Sequence, residues 1–194
     1  MTRSEEQRLI RLAAAGDREA CGAFIKAHQA SLFAYILRLS GRPDVAEDMV
    51  QEAFVRVLTN LDKFDDKYRF STWLFTIAKR LYVNACLKHK PSYDSDVVGS
   101  RESRWEGPQW SAQRDEHHEN TKDALQEVLM RLVPEQREIL VLFHQMDWPI
   151  AIIAQHMNMP EGTVKSHLHR GRRKLREMLE ASESRSNQVQ EMWH

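Results

Sequence analysis

From Thr163 to Arg176 the sequence has no acidic residue, yet it carries Lys165, Arg170, Arg172, Arg173, Lys174 and Arg176, with His167 and His169 among them. A run of this kind is suited to a polyanion. At 100° per residue, Val164, Leu168, Gly171 and Leu175 fall on one stripe fit to pack on a domain, while Ser166, His169, Arg170 and Arg173 point the opposite way. Just before it, "DWPIAIIAQHMNMPEG" reads as a short apolar helix of Ile150, Ile153, Ala154 and Met157, ending in a tight turn at "MNMP". A short helix, a turn and a second helix with a basic outer face form a helix-turn-helix. Its second helix would enter a major groove, where arginine pairs with guanine edges and lysine or small polar side chains reach bases and phosphates. A merely solvated cationic helix is the bland alternative, and it needs no partner helix at this spacing. His167 and His169 stand at i, i+2, which splays them apart on a helix and argues against a metal pair.

Two upstream helices carry more than core residues. In "PDVAEDMVQEAFVRVLTNL", Asp44 with Glu47 resembles a capping-box start. Val45, Met49, Val50, Ala53, Phe54, Val57, Leu58 and Leu61 make a wide apolar face. The remaining stripe holds Asp48, Gln51, Glu52, Val55 and Thr59. Acids around an exposed valine suit a protein partner, and a plain solvated face is the other reading. In "STWLFTIAKRLYVNACLKHK", Trp73, Leu74, Ile77, Ala78, Leu81 and Ala85 are expected to be buried. Phe75, Lys79, Tyr82, Cys86 and Lys90 then mix rings with cations on the other side, an arrangement that stacks unpaired bases and follows phosphates. Packing of Phe75 and Tyr82 against a neighbouring helix remains the alternative. The preceding "FDDKYRFS" is an aromatic, charged loop able to receive an extruded base.

These helices need a frame, and composition favours an all-α one. Glycine and proline are sparse, and no alternating apolar run flanked by turn signals suggests a strand. Helical periodicity lapses between residues 91 and 120, which reads as a linker. The expected organisation is therefore two small helical domains of four helices each, residues 1–90 and 121–180. A tail at 181–194 is expected to be disordered. Lys and Arg total 28 and Asp and Glu total 28, so polyanion binding must be local rather than a property of the whole chain. Cys21 and Cys86 lie in helical patterns without zinc or redox spacing and read as reduced thiols. No signal peptide or apolar run near 18 residues occurs, so a cytoplasmic location is expected. No phosphate-cradling glycine loop, nucleophile-base set or metal cluster suggests an enzyme or a cofactor.

Taken in order, "AGDREA", "AEDMVQEAFVRVLTNLDKF", "FSTWLFTIAKR", "LVPEQREILVLF" and "IAQHMNMPEGTVKSHLHRGRRKL" resemble a bacterial RNA polymerase sigma factor of the extracytoplasmic-function (ECF) type, over residues 8–180. The resemblance implies that Asp48, Gln51, Glu52 and Val55 dock on the clamp coiled coil of the largest subunit of core RNA polymerase. It implies that Phe64, Tyr68 and Phe70 in the loop, with Phe75, Lys79, Arg80, Tyr82 and Asn84 on the next helix, melt and read the minus-ten element of promoter DNA. It assigns Lys165, Ser166, His169, Arg170 and Arg173 to the minus-thirty-five element, and the second domain to the flap of the second-largest subunit. The linker would thread towards the active-site and RNA-exit channels. An anti-sigma factor, possibly membrane-anchored, is an expected partner. Arg80 stands where Asn is commonest, Asn84 where Asp is, Ile152 where Glu is and Cys21 where Phe is, which leaves the promoter sequence open. A stand-alone helix-turn-helix regulator that binds duplex DNA without polymerase is the competing class.

Overall fold

A computed structural model describes residues 3–65, 67–88 and 120–192, with side chains for 4–65, 67–87 and 125–181. The expected linker at 91–120 lies outside the described residues, apart from Asn120 as the first residue of a helix. Among the described residues the chain forms eight α-helices and one turn of 3-10 helix, with no strand. The first four are α1 (Arg3–Ala14), α2 (Arg18–Ser40), α3 (Pro43–Leu58) and α4 (Phe70–Lys88), with the 3-10 turn at Leu61–Lys63. The second four are α5 (Asn120–Met130), α6 (Pro134–His144), α7 (Ile150–Met157) and α8 (Glu161–Met192).

Compactness divides the chain at a place the sequence did not suggest. One unit takes Met1–His28 with Asp48–Arg114, and the other takes Gln29–Glu47 with Asp115–His194. The cause lies in α2, whose later half, "SLFAYILRLS", is apolar on nearly all faces. A helix of that kind needs cover all round. Leu32, Tyr35 and Ile36 are fully buried.

In the first unit, α2 starts where the Asp17 carboxylate accepts from the Ala20 backbone N–H at 3.0 Å, a side-chain cap that satisfies an orphan donor. Phe24, Val50, Ala53, Phe54, Val57, Leu61, Phe70, Leu74 and Ala78 make up its core. Phe24 meets Phe70 edge-on with centroids 4.3 Å apart, and His28 lies 5.0 Å from Phe24 and 5.5 Å from Phe70.

The expected capping box on α3 does not form. The helix opens on Pro43, whose fixed φ and absent N–H suit a first position, and Asp44 pairs instead with Arg42. In the second unit, Pro134 opens α6, while Pro149 and Pro160 stand immediately before α7 and α8. Helix α8 runs to Met192 where a disordered tail from 181 was expected; "EASESRSNQVQEM" contains no glycine or proline to stop it.

Burial lowers the pKa of His28 below its ordinary 6.5. As pH falls through about 6.5, the unfolded chain gains a proton that the folded chain declines, so stability declines until the folded pKa is reached. Thermal melts from pH 7.5 to 5 should show this acid-side loss, and His28→Leu should flatten it.

Candidate nucleic-acid interface

The helix-turn-helix geometry starts from α7. Ile153 and Ala154 are buried beneath it, and Asn158 ends it in the left-handed region at φ 51°. Asparagine tolerates this conformation better than most residues. The Met159 N–H then returns to the Ala154 carbonyl at 3.0 Å, which turns the chain sharply into α8.

Val164 and Leu168 are buried on α8, and Gly171 is buried beside them. A Cβ at Gly171 would stand 3.0 Å from Leu140 Cδ1, so the glycine lets α8 close tightly onto α6. Lys165, Ser166, His169, Arg170 and Arg173 are consequently all exposed on the opposite side, as the helical pattern requires. Local contacts hold several of them. Ser166 Oγ donates to the Gly162 carbonyl at 2.9 Å, and Arg173 and Lys165 stand 3.7 and 4.0 Å from Glu177 and Glu161. Arg172 behaves differently: its Nε lies 3.0 Å from His144 Nε2 and its guanidinium 5.1 Å from the Phe143 ring centroid, so it braces α8 on α6.

On α3, the placement matches the polar stripe. Asp48, Gln51 and Val55 are exposed and Glu52 is half-buried, while Val45, Val50, Ala53, Phe54 and Val57 face inward. Val55 is 58% exposed, high for an apolar residue in mid-helix, and Glu52 accepts from Arg56 Nε at 2.7 Å beside it.

The structure corrects the aromatic face of α4. Phe75 and Tyr82 are 2% and 8% exposed, and Cys86 is buried with them, so neither ring is available to stack on a base. The stripe Phe70, Leu74, Ala78, Leu81 is apolar, and Phe75, Tyr82 and Cys86 widen it into a buried surface covering about half the helix. Phe70 is also interior, at 1% exposure. Lys79 is half-buried, and Arg80 and Asn84 are exposed.

Trp73, Thr76, Ile77, Val83 and Leu87 share the outer side with Arg80 and Asn84, and the aromatic-cation pattern had pointed away from them. Counting back from Arg80 by four residues and then by three would have found Thr76 and Trp73. In the loop, Tyr68 is 61% exposed and Phe64 is half-buried, with its ring 5.3 Å from both Phe70 and Trp73. Beside Phe64 opens a cavity of about 310 Å³ lined by Gln7, Ile10, Arg11, Ala14, Leu61 and Asp65. The contribution of α1 to this cavity had no sequence signal.

Comparison with known proteins fixes the family. The Sigma-70 region 2 family model matches residues 24–91 and the Sigma-70 region 4 model residues 122–175. The chain is 32% identical over 175 residues to the ECF RNA polymerase sigma factor SigW of Bacillus subtilis, covering 84% of this chain and 91% of the relative. The chain belongs to the ECF sigma factors. This sigma factor is also 31% identical to ECF RNA polymerase sigma factor SigL of Mycobacterium tuberculosis, over 87% of this chain and 93% of the relative. Its fold is similar to that of sigma factor RpoE from Bartonella quintana, solved with the anti-sigma factor NepR (TM-score 0.63, 22% identity, 80% of this chain and 94% of that one). It is likewise similar to CnrH, solved with the cytosolic domain of CnrY (TM-score 0.68, 22% identity, 91% and 98%). As an alternative sigma factor, the protein directs transcription initiation.

Truncation separates buried from exposed residues on α4. Phe75→Ala should lower unfolding free energy by about 3–5 kcal/mol, and Arg80→Ala should change it by no more than ~0.5 kcal/mol, both measured by urea denaturation.

Proposed function

We propose that this sigma factor docks on the clamp of the largest subunit of core RNA polymerase through Asp48, Gln51, Glu52 and Val55. Its region 4 reads the minus-thirty-five element through Lys165, Ser166, His169, Arg170 and Arg173 and meets the flap of the second-largest subunit. Arg80 and Asn84, with Lys79 and the outer-face residues Trp73 and Thr76, contact the opened minus-ten element. Tyr68 and Phe64 are the loop rings placed for an unpaired base, and the cavity beside Phe64 is large enough to admit one. The observation that carries this reading is the exposed Val55 among Asp48, Gln51 and Glu52, which a regulator binding duplex DNA alone would not need.

The protein works by binding, so the energy of strand opening comes from higher affinity for unpaired than for paired DNA. The similar structure of RpoE was solved with the anti-sigma factor NepR, and that of CnrH with the cytosolic domain of CnrY, which supports an anti-sigma partner here. Among the described residues no helix is long and apolar enough to cross a membrane.

Run-off transcription with core polymerase over genomic fragments tests the whole assignment, and the absence of any promoter-specific transcript would overturn it. Arg170→Ala should weaken promoter binding by about tenfold, the value of one good base contact, and relax selectivity within the minus-thirty-five element. Glu52→Lys should instead weaken binding to core polymerase and leave affinity for a minus-thirty-five duplex unchanged.

A further inference from the structure

Helix α1 has no part in the contacts proposed above except as a wall of the cavity beside Phe64. It is held there by apolar packing, since Ile10 and Ala13 are buried and the helix lies against the 3-10 turn at Leu61–Lys63. Its far end is fixed by a tight turn in which the Asp17 N–H reaches the Leu12 carbonyl at 3.0 Å, with Gly16 at φ 88°, a conformation that favours glycine. Residues on the cavity side of α1 therefore keep a set position relative to the loop that follows α3.

Two of those residues are polar. Gln7 and Arg11 stand one turn apart on the same face, the first half-buried and the second exposed, and both line the cavity. Neither side chain has a hydrogen-bond or ion-pair partner among the described residues. Asp65 adds a carboxylate to the same lining, and its Oδ1 accepts the Lys67 N–H at 3.0 Å, a local turn that holds the acid in place. Ile10, Ala14 and Leu61 supply apolar wall, and Phe64 supplies a ring that is itself braced on Phe70 and Trp73.

The three polar groups differ in kind: a guanidinium only donates, a carboxylate only accepts and an amide does both. A space of about 310 Å³ with an aromatic wall and a few polar groups is suited to an extruded base, whose faces meet the apolar side chains and whose edge meets the polar ones. An apolar cavity alone would discriminate weakly among bases. Donors and acceptors that give up water when a base enters must find matching atoms on its edge, and a wrong edge leaves them unpaired.

We propose that Gln7 and Arg11 are specificity-determining residues that read the edge of the unpaired minus-ten base taken into this cavity, so that α1 joins α4 and the loop in setting the promoter sequence. The inference rests on the base capture at Phe64 proposed above. Both residue types suit the task, glutamine pairing with adenine at N6 and N7 and arginine with guanine at O6 and N7, while Asp65 accepts from an exocyclic amine. An arginine on a helix surface also suits a phosphate, which positions DNA and carries no sequence information.

The test uses full-length protein with core polymerase on a promoter mapped by run-off transcription, its minus-ten element opened in advance by mismatch so that melting does not enter. Each opened position carries each of the four bases in turn, and affinity is measured by competition. Wild-type protein should prefer one base at one position by about tenfold, the value of a good base-edge pair. Gln7→Ala and Arg11→Lys should each cut that preference to about threefold or less and leave other positions unchanged, because lysine keeps the charge of arginine and loses its planar fork. A preference retained in either variant overturns the role of that residue. Arg11→Ala that loses affinity equally for all four bases, with a salt slope reduced by ~1, is the signature of a phosphate contact and also overturns the reading role of Arg11. Thermal melts check the fold, and if Gln7→Ala melts early, Gln7→Glu, which keeps the shape and removes the amide donors, decides in its place. Wild-type protein with no base preference at any opened position would sink the base capture itself and this proposal with it, whereas a wild-type preference untouched by both variants sinks this proposal alone.

Discussion

The helix-turn-helix unit depends on a buried arginine whose guanidinium is held by backbone carbonyls. Arg137 sits at 6% exposure with Nε on the Leu129 carbonyl at 2.9 Å and Nη2 on the Met130 and Leu132 carbonyls at 3.0 and 3.3 Å. The last carbonyls of a helix have no partner inside it, and a cation there also meets the negative end of the helix dipole. One guanidinium thus closes α5 and fixes the turn into α6. Helix α6 in turn supplies Leu140, against which Gly171 seats α8. The orientation of Ser166, His169 and Arg170 thus follows in part from a side chain on α6, the helix against which α8 packs. Its neighbour Glu138 turns about 100° round the same helix and reaches Tyr35 and His156. Two adjacent charges in one helical turn therefore serve two separate networks.

Charge pairs of this sort are the part of the fold that sequence conceals. "PEQREILVLF" reads as an amphipathic helix whose Arg137 and Glu138 belong on the wet side, because buried charges are rare unless their hydrogen bonds are met, and those partners are distant in sequence. Helix α8 was legible because its apolar residues are few and its polar residues many, so Val164, Leu168 and Gly171 leave no choice of face. Helix α3 was legible for another reason: its apolar face is wide, but Asp48, Gln51 and Glu52 mark the opposite side. Helix α4 was not. Trp73, Leu74, Phe75, Ile77, Ala78, Leu81, Tyr82 and Ala85 surround it, and periodicity cannot rank faces when nearly every face is apolar. Burial chose the side with Phe70, Phe75 and Tyr82, where Phe24 and its neighbours lie. The same ambiguity in α2 hid the division of the chain within that helix.

Neutral net charge acquires a meaning from these placements. Protein affinity for duplex DNA that is independent of sequence scales with the phosphates neutralised. Here Arg172 is turned onto Phe143 and His144, while Lys165 and Arg173 each have an acid one turn away. Such exposed pairs are weak, but they reduce the cationic field of α8. A regulator that had to find its operator unaided would gain from a stronger positive field, since that field accelerates encounter and holds the protein on the duplex. A sigma factor takes its residence on DNA from polymerase, and a free copy with strong affinity for DNA would compete with the holoenzyme at promoters. In the reading proposed above, the partly compensated charge on α8 and the exposed valine among acids on α3 suit one requirement: the chain should read DNA only after it has found its enzyme.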